Sequence, residues 1–385
     1  MDLRNTQSPG LMINMKKLFS NSFTILFLII LLSTGKLTAQ DSSSVKRTVY
    51  DTLSVKPVNP EESVEGRQLL KFLYSISGKK TLTGIHNYLG KMSESTDSAF
   101  KITGRYPAIW GGDFGFADST HDIDNIKYRH LLVDEIKKQY ARGSFIILTY
   151  HQANPAIGEP CPFEGGVVSK LSDKQWKDLI TPGTQLYLAW QKQMDLFASY
   201  LTQLRDARIP ILFRPYHEMN GDWFWWGNRP GDSGYIALWK QLFNYFTKVK
   251  KLDNILWVWT TDHPWEGIEK YYPGDDYVDI LGSDIYPIKD TTIIFRQEWY
   301  DRMKKLANGK PLALSENSVL PTEEILHSQS WVWFMSWTCW GFDKNAEEVK
   351  KIFNSHSVIT LENLPDWKSN ILPDSLKTIQ RPVLN

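Results

Sequence analysis

A chain of 385 residues with 42% hydrophobic and 13% aromatic content has the apolar material for one barrel-sized domain or two ordinary ones. A formal net charge of +1, without a clustered basic patch, excludes a nucleic-acid binder. Sixteen Trp and 17 Tyr exceed ordinary usage; solvent-reachable indoles suit carbohydrate contact, although each one serves equally well in a core.

Residues 1–40 have the layout of a secretory signal peptide. Lys16 and Lys17 precede the apolar run Phe23 to Leu32, and small or polar residues lead to Ala39-Gln40. The run is short for a bilayer, so an exported protein, periplasmic or secreted, with no stable membrane span is expected. Met15, directly before Lys16, is the expected initiator. Residues 41–62 are polar and proline-containing and read as a linker.

From residue 63 onward strand-like apolar runs alternate with amphipathic segments, the pattern of a parallel α/β fold. The runs are Lys80–His86, Tyr106–Asp113, Ser144–His151, Ile209–Glu218, Asn254–Thr260, Tyr277–Tyr286, Lys310–Glu316 and Trp331–Trp337. Between them lie helical patterns such as Asp124–Ala141, Thr184–Asp206, Tyr235–Lys251 and Thr292–Asn308. In the second of these Leu188, Met194, Phe197, Tyr200, Leu201 and Leu204 form the apolar stripe. Eight such units, with no Gly-rich phosphate fingerprint after the first strand, predict a (β/α)8 TIM barrel forming a single catalytic domain over residues 63–385. The long connection Gln152–Pro182 reads as a wall of a cleft, and the tail after Phe353 as a segment that wraps the barrel.

Polar residues collect where this fold carries its chemistry. His86, Asp113, His151, His217, Glu218, Asp262, Asp284, Tyr286 and Glu316 all fall at or just past the C-terminal ends of predicted strands. Glu218 ends the fourth and Glu316 the seventh, on opposite sides of the lumen mouth, where two carboxylates can face one bond. Either one alone reads equally well as an ion-pair partner of Arg214; the pair jointly reads as a glycosidase. A retaining mechanism needs carboxyls about 5–5.5 Å apart and an inverting one about 6.5–9.5 Å, a gap that sequence leaves open. Strict alternation points His217 away from Glu218, unless the strand end bends. Of Trp223, Trp225 and Trp226, one or two are expected to pack rather than face a ligand. Alternation puts Trp331, Trp333 and Trp337 on one face, with Trp337, at the strand end, the candidate platform; Trp340 follows. Cys161 and Cys339 are the only cysteines, and whether they pair depends on a separation that sequence does not give.

The stretch RPYHEMNGDWFWWG closely resembles the acid/base motif of glycoside hydrolase family 26, in which endo-β-1,4-mannanase is the best-populated activity. YHQANP before it, and SDIYP, PLALSEN and WFMSW after it, stand in the family's order. The resemblance implies a TIM barrel, a retaining double displacement, no metal and no cofactor, and β-mannan-type polysaccharide as the substrate; a monomer is expected, although the sequence does not fix the oligomeric state. It implies Glu218 as acid/base and Glu316 as nucleophile, His217 and Tyr286 as supports of the nucleophile and first glycone sugar, and His151, Trp223, Asp284 and Trp337 as lining of the adjacent subsites. Two positions depart from the family's pattern. Glu316 is followed by Asn317 and Ser318 rather than a small residue and Gly, and Thr338 stands where a basic residue often follows the eighth-strand Trp. The second leaves β-1,3-1,4-glucan and β-1,3-xylan as alternative substrates, and a catalytically silent glycan-binding protein is the alternative from another class. A metal-dependent barrel hydrolase ranks last, because the first strand offers a single His86 rather than a His-x-His pair.

Overall fold

The computed structural model describes residues 55–118, 123–289, 291–339 and 341–367. The expected leader, Met15, most of the expected linker and Trp340 lie outside the described residues.

Eight parallel strands close on themselves. They are β1 Thr81–His86, β2 Ile109–Asp113, β3 Phe145–Tyr150, β4 Ile211–Pro215, β5 Ile255–Thr261, β6 Ile280–Ile285, β7 Leu312–Asn317 and β8 Trp331–Ser336. Each pairs with the next, and β8 returns to β1 through Leu82–Trp333 to Ile85–Ser336, so the expected TIM barrel is formed. The pleat sorts each strand between two layers. Leu212, Leu256, Val258 and Trp333 join an inner cluster, whereas Phe213, Trp257 and Trp259 join the layer beneath the surrounding helices.

Helix α1 (Val64–Ile76) starts where the Ser63 hydroxyl accepts the Gly66 N–H at 3.0 Å, a cap for one of the otherwise unpaired first-turn donors. It lays Leu69, Leu70, Leu73 and Ile76 against the inner cluster and floors the barrel. The last residues of the segment read as a linker belong to this floor: Asn59 and Glu62 are buried, and the Val58 N–H donates to Asp279. Outside come α2 (Glu94–Thr103), α3 (Asn125–Arg142), α4 (Asp173–Leu179) and α5 (Gln185–Asp206), then α6 (Tyr235–Asn244), α7 (Gln297–Ala307), α8 (Glu323–Ser328) and α9 (Ala346–Phe353). In α5 the buried stripe is Trp190, Met194, Phe197, Leu201 and Leu204. Leu188, expected in it, is 47% exposed. The tail adds Val358–Ile359 beside β1 and sets Trp367 against Phe145, so this part wraps the barrel as expected.

Two expectations need correction. The fourth strand stops at Pro215, because Tyr216 and Glu218 take left-handed backbone conformations (φ 48° and 54°) that no strand sustains. Trp331 and Trp333 do not share a face. The register of β8 against β7 shifts between Trp331 and Phe334, so Trp331 packs outward on Tyr300 while Trp333 enters the inner cluster. Cys161 and Cys339 are free thiols. Among the described residues no helix is long and apolar enough to cross a membrane.

Candidate active site at the barrel mouth

Arg214 shares the inward parity of Leu212 on β4, which puts a guanidinium into the lumen just below the mouth. A buried cation needs partners. It finds two from across the barrel: one amino group donates to Asp284 at the end of β6, at 2.7 Å, and the other to Glu316 at the end of β7. Burial disfavours the cation, but Asp284 and Glu316 together more than offset this, and Arg214 stays charged. Glu316 also accepts a hydrogen bond from the Tyr286 hydroxyl at 2.8 Å and has His217 Nε2 at 3.9 Å. Burial and the neighbouring carboxylates push the Tyr286 phenol well above its ordinary value, so it is a donor throughout the physiological range. Burial and Arg214 hold His217 well below its ordinary value, which makes it a neutral imidazole.

Glu218 occupies a different environment. Its left-handed backbone follows that of Tyr216, and its N–H is tied to the Thr260 carbonyl at 2.9 Å. The two reversals break alternation at the end of β4, so His217 comes beside Glu316 although it neighbours Glu218 in sequence. The Trp223 indole donates to Glu218 Oε2 at 2.8 Å. Burial, and then the charges of Glu316 and Asp262, push the Glu218 carboxyl well above the usual range, with the Trp223 N–H opposing. A carboxyl raised in this way holds its proton more readily than a free one and can donate it, while Glu316 lies near enough to act on its charge.

The opposite flank is built from histidines and aromatics. His151 directly follows β3, meets His217 edge to face at 4.5 Å and is bonded through Nδ1 to Asp113. Burial works against ionisation of Asp113, but His151 outweighs it and holds the carboxyl well below the usual range. Trp337 is half-buried and stacks on His86 at 3.9 Å and 16°, with the Tyr88 ring edge-on. Burial drives His86 down to about 3, so this stack carries no charge. Trp225 and Trp226 are packing residues: their indoles bond the carbonyls of Gln152 and His217, which pins the loop that presents Trp223.

All eight candidates, Glu218, Glu316, His151, His217, Trp223, Asp284, Tyr286 and Trp337, therefore meet at one opening. Sequence reasoning gave Arg214 only the role of an ion-pair partner and missed its central place; its parity with Leu212 was the available signal. It missed Tyr88 outright, and a ring in a loop after β1 leaves no periodic trace. His217, Asp284 and Glu316 each bring one ligand-type atom within 4.8 Å of the others, but Arg214 already supplies positive charge to both carboxylates.

Residues 58–363 match glycosyl hydrolase family 26. The mannan endo-1,4-beta-mannosidase of Bacillus subtilis is 31% identical over 281 residues, covering 68% of this chain and 74% of its own. That of Caldalkalibacillus mannanilyticus is 26% identical over 341 residues, 81% of this chain but 64% of its own length. Among solved structures, GH26A of a Muricauda species superposes with a TM-score of 0.74 at 37% identity, over 80% of this chain and 99% of its own. The beta-mannanase from a protist symbiont of the termite Reticulitermes speratus, solved with a gluco-manno-oligosaccharide, gives 0.71 at 30% identity, over 81% and 98%. With the barrel closed and paired carboxylates at its C-terminal mouth, the chain belongs to glycosyl hydrolase family 26.

Proposed function

We propose that this glycosidase is an endo-acting β-1,4-mannanase that cleaves internal bonds of mannan, glucomannan or galactomannan by a retaining double displacement. The observation that carries the reading is the asymmetry of the two carboxyls: Glu218 is pushed up by burial and like charge, whereas Glu316 receives Arg214 and Tyr286. Glu218 protonates the leaving oxygen as the Glu316 carboxylate attacks the anomeric carbon. Glu218, now deprotonated, takes a proton from water, which displaces Glu316 and restores both groups. Arg214, Tyr286 and neutral His217 orient Glu316. His151, Asp284, Trp223 and Trp337 line the sugar sites beside the bond, the indoles offering flat apolar faces. The named activity of the relatives supports mannan as the substrate.

Glu316→Ala is expected to abolish reducing-sugar release from mannan in a protein that still folds, with its melting temperature lowered because Arg214 loses a buried partner; retained turnover in the folded variant would remove Glu316 from the chemistry. Proton NMR of the first product should show the β-anomer before mutarotation, and the α-anomer would refute retention. Thr338 is the reason to run β-1,3-1,4-glucan and β-1,3-xylan in the same assay. A higher kcat/KM on either would replace mannan as the substrate.

A further inference from the structure

Among the described residues Trp265 is the most exposed tryptophan, at 47%, and no part of the proposed chemistry uses it. It sits in the connection after β5 and is firmly built in. Its ring meets the edge of Trp299 at 5.2 Å and 81° and lies tilted against His263 at 5.8 Å. Trp299 is in turn covered by the Arg296 guanidinium at 4.9 Å. The backbone is held on both sides, with Arg302 donating to the Pro264 carbonyl and the Trp265 N–H to the His263 carbonyl at 2.8 Å.

The same turn is fastened to the two turns that carry the site. Asn220, two residues after Glu218, donates to the His263 carbonyl at 3.0 Å and accepts the Asp262 N–H at 2.9 Å. The His263 ring bonds Asp262 through Nδ1 and the Tyr286 carbonyl through Nε2, each at 2.8 Å. Tyr286 itself holds Glu316. An indole left nearly half in water forgoes burial that would stabilise the fold, and here its orientation is fixed by packing rather than left to a mobile loop. It is also on the β5–β6 side of the mouth, opposite the flank where Trp337, His86 and His151 stand.

We propose that Trp265 is a stacking platform for a pyranose of the same chain that is cleaved between Glu218 and Glu316, bound beyond the sugars next to the scissile bond. The proposal rests on the glycosidase reading and adds a site that makes the enzyme favour long chains. The test is the ratio of kcat/KM on mannohexaose to that on mannotriose, for wild type, Trp265→Ala and Trp265→Phe, with melting temperatures as the fold control. Trp265→Ala is expected to lower the ratio about tenfold, the value of one base–aromatic stack serving as a guide for a flat ligand. Trp265→Phe, which keeps an aromatic face on Trp299, should recover part of it. An unchanged ratio in a folded Trp265→Ala protein overturns the platform. Calorimetric titration of mannohexaose into Glu316→Ala with and without Trp265→Ala separates the two levels of the reading. Weaker binding in the double variant supports the platform even if wild type fails to cleave mannan, and equal binding overturns it even if cleavage is seen.

Discussion

At Glu218 two neighbours act on the same proton in opposite directions, and each can be removed singly. The Trp223 N–H stabilises the anion, so Trp223→Phe should raise the Glu218 pKa and move the alkaline limb of the kcat/KM–pH profile upward. Asp262 destabilises the anion, so Asp262→Asn should move that limb downward. Shifts in the same direction in the two profiles would rule out Glu218 as the group that titrates. Thr338, just past Trp337, is a second site where one residue can be isolated. A β-branched residue at φ 59°, with a buried hydroxyl that has no hydrogen-bond partner, carries both backbone strain and a desolvation penalty. Thr338→Gly should therefore stabilise the protein by about 1–3 kcal/mol in urea unfolding, while lowering kcat/KM severalfold as the Trp337 indole loses its fixed approach.

The elements that matter most for the site are connections rather than strands. The 152–182 connection, legible in the sequence as a cleft wall, is held by a residue of α3. Arg129 grips Glu159 with two hydrogen bonds of 2.7 and 2.9 Å and also donates to the carbonyls of Phe114 and Gly115. Tyr150 adds a third bond to the same carboxylate. One residue of a helix thus ties the loops after β2 and β3 together. Arg129→Met leaves a nearly buried carboxylate unpaired and should cost about 3–5 kcal/mol of stability, with KM for mannan rising as the wall loosens. An unfolding midpoint equal to wild type would show that the pair is ornamental. Further along this wall, the Trp225 N–H bonds the Val167 carbonyl and Val168 bridges to Phe224, so the aromatic loop after β4 is braced by the connection after β3.

Across the whole molecule, charge is buried at both ends of the barrel but to different effect. At the mouth it is paired around Arg214. At the floor Asp279 accepts the N–H groups of Val58 and Trp257, yet burial pushes its carboxyl up to about 6, and burial and Asp279 push Glu62 well above its ordinary value. In the unfolded chain such carboxyls titrate near pH 4. The folded state therefore binds more protons between about pH 4 and 6, and this contribution to stability, full below pH 4, is lost as pH rises through 6. Asp279→Asn should be more favourable relative to wild type at pH 7 than at pH 4.5, as read from urea unfolding at the two values; a difference that does not vary with pH would place the titration elsewhere. The eight strands, the barrel and the gathering of polar residues at the strand ends were legible in the sequence, because pleat alternation and helical periodicity are local and survive in one dimension. What only the tertiary structure decided was how the strand ends meet. Whether His217 faces Glu316, whether Arg214 bridges two distant strands, and which of sixteen indoles stay in solvent depend on backbone reversals at Tyr216 and Glu218, a register shift in β8 and contacts between turns far apart in the chain. None of these leaves a periodic mark, since each is set by the distance at which the closed barrel brings its rims together.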